Sequence, residues 1–131
     1  MTTAKKNKVV ILLSEKDVFL VKIYKYKFNK EAGWETMVAD DPKSLLELVL
    51  KERPSLVLTD IILKNGTAYD VIEKITHNKD KKIASIPIVI LTDLAQNQDV
   101  QNMKKLGVTE YLVKSETTFD EVISVVKQLQ K

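Results

Sequence analysis

Polar and charged side chains follow four apolar stretches of the chain, at the points where strands are expected to end. They are Glu15, Lys16 and Asp17, then Asp60, then Thr92 with Asp93, and finally Lys114. Acids, a hydroxyl and an ammonium group that converge can position a charged group and neutralise the charge that develops on it. Each residue alone has an ordinary explanation, because a strand-end aspartate often caps the next helix and a strand-end lysine is usually solvated.

Five short stretches are rich in apolar and β-branched residues and are too short for helices. The predicted strands cover residues 9–13, 35–39, 55–59, 86–92 and 111–113. The second is the weakest, because Met37 and Ala39 alternate with polar neighbours.

Between the strands, apolar residues recur at helical spacing. The predicted helices cover residues 18–30, 43–52, 68–76, 97–106 and 119–130. Asp41 and Pro42 provide a cap and a first-turn proline for the second helix, and Gly33 and Gly107 are expected to end the first and fourth.

The strict alternation of strand and helix predicts an α/β fold with a five-stranded, doubly wound parallel sheet. Residues 1–131 are expected to form one domain with a core at about 9–130. Ligands of such sheets bind beyond the carboxyl ends of the strands, so the polar side chains named above are expected to share one edge.

The composition narrows the classes of function. The net charge is +3, and Arg53 is the single arginine among 21 basic residues, which makes nucleic-acid binding unlikely. The absence of cysteine excludes disulfides and thiol chemistry and fits a cytoplasmic location. No apolar run approaches the roughly 18 residues of a membrane span.

Four stretches resemble, in order and spacing, the receiver domain of two-component response regulators, from residue 9 to about residue 130. They are SEKDVFL, PSLVLTDIILKNGTAYDVI, IPIVILTDL and LGVTEYLVKS. The resemblance assigns the phosphoacceptor to Asp60, the switch hydroxyl to Thr92, the switch aromatic to Tyr111 and the essential lysine to Lys114. It also implies the flavodoxin-like (βα)5 receiver fold.

The resemblance implies a signalling domain, not an enzyme with a separate substrate, that promotes its own phosphorylation and dephosphorylation. A histidine kinase or phosphotransfer protein would supply the phosphoryl group, and a downstream protein would read the change on the fourth helix, fifth strand and fifth helix. A homodimer through the fourth and fifth helices is common in the family. Mg²⁺ would be held by an acidic pair that includes Glu15, by Asp60 and by the backbone carbonyl of Ile62.

Lys16 departs from the family pattern, because it stands where the second acid of the pair is expected. An ammonium group cannot coordinate Mg²⁺, so weak metal binding is predicted. One hypothesis has Lys16 pairing with Asp60 and Glu15 in the place of the ion, in a phosphorylation-independent interaction module. The alternative leaves Lys16 in solvent, with Asp17 or water partly restoring the metal site.

Two further features of the sequence bear on its function. Ser115 follows the essential lysine where the family has a proline after a cis peptide, so either a trans bond or local strain is expected. A flavodoxin-like enzyme would need a phosphate-binding loop or a nucleophile with its base, and the SEKD stretch, with no cysteine and one histidine in the chain, offers neither.

Overall fold

The computed structural model describes residues 9–130, except for the side chain of Ala32. The predictions for residues 1–8 and 131 lie outside the described residues. Within them, the predicted α/β fold is confirmed: five parallel strands form one sheet with helices on both faces.

The sheet has the strand order β2-β1-β3-β4-β5, and every neighbouring pair is parallel. Its strands are β1 (Val10–Ser14), β2 (Glu35–Ala39), β3 (Leu56–Thr59), β4 (Ile88–Thr92) and β5 (Glu110–Val113). The strand order reverses direction between β1 and β3, which is where doubly wound sheets bind their ligands. The fourth strand begins two residues later than predicted, just after Pro87, which has no N–H to contribute to the ladder.

In the described part of the chain, four helices of two or more turns connect the strands and a fifth follows β5. They are α1 (Val18–Ala32), α2 (Pro42–Glu52), α3 (Tyr69–Thr76), α4 (Asn97–Leu106) and α5 (Phe119–Leu129). The Asp41 side chain accepts from the Ser44 N–H at the start of α2, and Gly33 and Gly107 adopt left-handed backbone conformations where α1 and α4 end.

Three short elements were not predicted. They are a hairpin of Ile62–Leu63 with Gly66–Thr67, a one-turn helix at Lys81–Ala84 and a 3-10 turn at Lys114–Glu116. The hairpin turns at Asn65, whose φ of 62° is left-handed, so the expected Asn-Gly turn chemistry is present. Two-residue strands carry too little periodicity to be recognised in a sequence.

Two apolar layers cover the sheet. On one face, Ile11 and Leu13 pack with Phe28 of α1 and Val122 of α5. The other face packs against α2, α3 and α4. Burial on both faces explains why β1, β3 and β4 are apolar along their length. In the described part of the chain, no helix is long and apolar enough to cross a membrane.

Candidate functional site

The register of the sheet brings the polar strand ends together at one edge. Ser14 pairs with Thr59, so the next residues, Glu15 and Asp60, lie side by side. The Asp60 N–H donates to the Ser14 carbonyl at 3.0 Å, which continues the ladder by one bond. On the other side of β4, the pairing of Thr92 with Val113 brings in the residue that follows, Lys114.

Asp60 is buried and its carboxylate is fully engaged. The residue is 5% exposed. One carboxylate oxygen, Oδ1, accepts from the N–H of Ile61 at 2.6 Å and from the N–H of Ile62 at 3.4 Å. The other oxygen, Oδ2, accepts from the Nζ of Lys114 at 2.7 Å. A buried carboxylate is stable only with such donors, and these fix its orientation at the sheet edge.

Lys114 bridges both buried acids. Its Nζ lies 2.7 Å from Asp60 Oδ2 and 2.8 Å from Glu15 Oε1, and its side chain is 16% exposed. Burial alone lowers the pKa of Lys114, but the hydrogen bonds and charges of Asp60 and Glu15 outweigh burial and raise it. The group therefore stays an ammonium ion at neutral pH. The residues described contain no cis peptide bond, so Lys114–Ser115 takes the trans alternative.

Lys16 contacts neither of the two acids. Its Nζ donates to the backbone carbonyl of Ile62 at 3.2 Å, and the residue is exposed. The predicted pairing of Lys16 with Asp60 and Glu15 is wrong for this structure, in which the Lys114 ammonium bonds to both carboxylates and Lys16 bonds to the Ile62 carbonyl instead. The alternative describes the residue in part, since Lys16 is exposed to solvent while its ammonium group also reaches the loop after β3.

Asp17 serves the helix that follows it. Its side chain accepts from the N–H groups of Phe19 at 2.9 Å and Leu20 at 3.3 Å, which caps α1. Its own N–H donates to Glu15 Oε2 at 3.0 Å. Capping engages Oδ1 of the carboxylate that was expected to help restore a metal site, and a contribution of Asp17 to metal binding stays a prediction. Asp93, the other strand-end acid, is exposed.

Receiver domains bind Mg²⁺ in their active sites, and the oxygen atoms of Glu15, Asp60 and Ile62 are the candidate ligands here. Mg²⁺ requires near-octahedral oxygen ligands. Glu15 and Asp60 each bind the Lys114 ammonium, and the Ile62 carbonyl binds the Lys16 ammonium. Within residues 9–130, no cluster of three or more acidic, histidine or cysteine side chains is arranged to hold a metal. The donor set as arranged does not fit the ion.

Thr92 and Tyr111 are joined through the backbone of Leu94. Thr92, 1% exposed, accepts from the Leu94 N–H at 3.4 Å. The Tyr111 hydroxyl donates to the Leu94 carbonyl at 2.6 Å, and its ring packs on the core. Burial, with a smaller contribution from the charge of Asp99, raises the pKa of Tyr111 to about 12.

Sequence reasoning missed the groups that act through the backbone. Ile61 and Leu94 contribute N–H or C=O groups, which every residue has, so side-chain type gives no signal for them. Ser14 was also missed. Its hydroxyl is buried beside the site and has no hydrogen-bond partner among the residues described.

Comparisons with known proteins assign the family. The profile described as the response regulator receiver domain matches residues 11–127, nearly the whole chain. The chain therefore belongs to the receiver domain family of two-component response regulators. Members of this family are signalling domains that interact with histidine kinases or phosphotransfer proteins and with downstream targets.

The curated relatives agree with this assignment. A probable transcriptional regulator ycf27 of Galdieria sulphuraria is 35% identical over 82 residues, 63% of this chain and 30% of that protein. Sporulation initiation phosphotransferase F of Bacillus subtilis is 29% identical over 77% of each chain. The chain thus spans less than half of the two ycf27 regulators it matches first, at 30% and 43% of their lengths.

Solved structures share the fold. The receiver domain of a sensor histidine kinase from Pseudomonas aeruginosa superposes with a TM-score of 0.79 over 94% of this chain and 98% of that one, at 20% identity. That structure holds a magnesium ion in its active-site cleft. At this identity the likeness establishes the fold alone.

Proposed function

We propose that this domain accepts a phosphoryl group on Asp60 and thereby changes a protein-binding surface. The observation that carries the proposal is the state of the Asp60 carboxylate. It is buried at the carboxyl edge of the sheet, with backbone N–H groups on one oxygen and the Lys114 ammonium on the other. A merely structural aspartate at a strand end would be expected to cap the next helix, as Asp17 does.

The arrangement suits phosphoryl transfer to a carboxylate. An oxygen lone pair of ionised Asp60 attacks phosphorus, a new P–O bond forms, and the bond from phosphorus to the donor breaks. The donor group, a histidine nitrogen of a kinase or phosphotransfer protein, leaves with that electron pair. Asp60 Oδ2 accepts from the Lys114 ammonium, and the same ammonium group neutralises charge on the transferred oxygens.

Thr92, Leu94 and Tyr111 support a route from the site to the surface. Thr92 ends the strand next to Asp60, and both it and Tyr111 bond to Leu94. A phosphoryl group that attracts the Thr92 hydroxyl would pull on Leu94 and so change the position of Tyr111. Tyr111 lines a groove with α4 and β5 residues such as Val100 and Lys104, where a downstream protein would read the change.

The test is modification by a small phosphodonor. The protein is incubated with acetyl phosphate and Mg²⁺, and intact mass is measured for the wild type, Asp60→Asn and the matched control Asp93→Asn. The expected result is a mass increase of one phosphoryl group in the wild type and in Asp93→Asn, and none in Asp60→Asn. An unmodified wild type, or modification that survives in Asp60→Asn, would refute the proposal.

A further inference from the structure

The contact between Lys16 and Ile62 has no role in the function proposed so far. The Lys16 Nζ lies 3.2 Å from the Ile62 carbonyl oxygen, across 46 residues of sequence. This carbonyl belongs to the loop that directly follows Asp60, and it is the main-chain oxygen that the family resemblance assigns to the metal ion. The position is already filled by a cation of the protein itself.

The charges of the site are balanced without an added ion. Glu15 and Asp60 supply two negative charges, and Lys16 and Lys114 supply two positive charges. A divalent cation here would leave an excess of two positive charges, with Lys16 as an immediate repulsive neighbour. Among the described residues, no third acidic side chain joins Glu15 and Asp60 in a group that could hold a metal ion.

Lys16 also acts on the acceptor through the loop it holds. The Ile61 and Ile62 N–H groups donate hydrogen bonds to Asp60 Oδ1. Lys16, which follows β1, donates a hydrogen bond to the Ile62 carbonyl and so links this loop to the end of β1. A divalent ion shared between the acceptor and this loop would impose the same constraint. Lys16 therefore supplies both a positive charge and the tether.

We propose that Lys16 takes the place of the divalent cation in this domain, so that phosphoryl transfer to Asp60 proceeds without Mg²⁺. This inference rests on the proposed function of Asp60. In the transfer from acetyl phosphate, Asp60 forms the new P–O bond, the bond between phosphorus and the acetate oxygen breaks, and acetate leaves with the electron pair. Both ammonium groups keep their protons, and Lys16 is a positioning residue.

Binding of Mn²⁺, used as a paramagnetic probe of the divalent site, gives the first test. Broadening of the Ile61 and Ile62 amide signals is followed by NMR in the wild type, Lys16→Asp and Lys25→Asp. The last variant makes the same change of charge on the exposed face of α1. In the wild type and Lys25→Asp, we expect no selective broadening of these signals. In Lys16→Asp, we expect selective broadening at a Mn²⁺ concentration at least about ten-fold below the highest one at which the wild type shows none. Selective binding by the wild type would overturn the proposal.

A second measurement uses the transfer itself. Modification by acetyl phosphate is compared with Mg²⁺ and with excess EDTA, by intact mass. We expect wild-type rates that agree within about two-fold, and a Lys16→Asp rate that falls at least about ten-fold in EDTA. Loss of wild-type modification in EDTA would overturn the inference while leaving Asp60 as the acceptor.

The two proposals fail in different ways. An Asp60 that is modified in none of the variants, with or without Mg²⁺, would refute the proposed function, and the Mn²⁺ titration would still decide whether Lys16 excludes the ion. If Lys16→Asp does not fold, Lys16→Gln replaces it. This variant removes the charge while keeping a polar side chain. Its Ile61 and Ile62 amide signals should also broaden at a lower Mn²⁺ concentration than those of the wild type.

Discussion

Two lysines stand at the same edge of the sheet, one after β1 and one after β5, and their surroundings differ. Lys114 is mostly buried and touches two buried carboxylates, whereas Lys16 is exposed and touches one carbonyl oxygen. The first holds the charge of the acceptor, and the second holds the loop beside it. Residue type alone does not distinguish them; the partners that the fold brings within reach do.

The largest effect on stability is expected from Lys114→Met. The change leaves Glu15 and Asp60 as neighbouring buried carboxylates without a counter-charge, so the free energy of unfolding should fall by about 3 kcal/mol. Lys127→Met is the matched control, because Lys127 pairs with Glu31 at 3.4 Å on the surface and should contribute less than about 1 kcal/mol. Denaturant unfolding measures the free energy of unfolding of both variants. Equal losses would show that the buried ion pairs of Lys114 stabilise the fold no more than the surface pair of Lys127.

The ion pairs of Lys114 with Glu15 and Asp60 should make the free energy of unfolding depend on pH in the alkaline range. The raised pKa of Lys114 means that the folded protein holds this proton more tightly than the unfolded chain. The contribution is therefore complete below the ordinary lysine pKa of about 10.4, and it is lost as pH rises through the higher folded value. The difference in stability between the wild type and Lys114→Met should shrink above that pH. If the difference in free energy of unfolding between the two proteins stayed constant at a pH where lysine is deprotonated, this assignment to Lys114 would be contradicted.

A smaller effect is expected from Tyr111→Phe, which leaves the ring in place and removes the hydrogen bond to the Leu94 carbonyl. The free energy of unfolding should fall by about 1 kcal/mol. In NMR spectra, the amide of Leu94 should shift, since it bonds to Thr92. Tyr26→Phe, at an exposed tyrosine on α1, is the control. Unchanged Leu94 and Thr92 signals would contradict a structural link between Tyr111 and Thr92 through Leu94.

The smallest change in stability is expected from Lys16→Met. Its one hydrogen bond is exposed to solvent, so the free energy of unfolding should stay within about 0.5 kcal/mol of the wild type. Thermal or denaturant unfolding measures this. A loss close to that of Lys114→Met would mean that the two lysines do not differ in the way described above.

The sheet, its five helices and the residues at the carboxyl ends of its strands were predictable from the sequence. Apolar periodicity and the ends of strands depend on local composition, which the sequence shows directly. The contacts of Lys16 and Asp17 were not predictable in the same way. Whether a flexible side chain meets a carboxylate, a carbonyl or a helix N-terminus depends on distances of a few ångströms set by the register of β1 and β3. The Leu94 link was hidden for a different reason, since its groups belong to the backbone.

The most direct test of the account is the initial rate of phosphoryl incorporation at Asp60 from acetyl phosphate in EDTA, measured by intact mass for the wild type, Lys114→Met and Lys16→Met. The account predicts a loss of about a hundred-fold or more in Lys114→Met, where charge on the reacting group is no longer neutralised, and a smaller loss of at least about ten-fold in Lys16→Met, where the loop beside Asp60 loses its cation. A Lys114→Met rate equal to that of the wild type would contradict it.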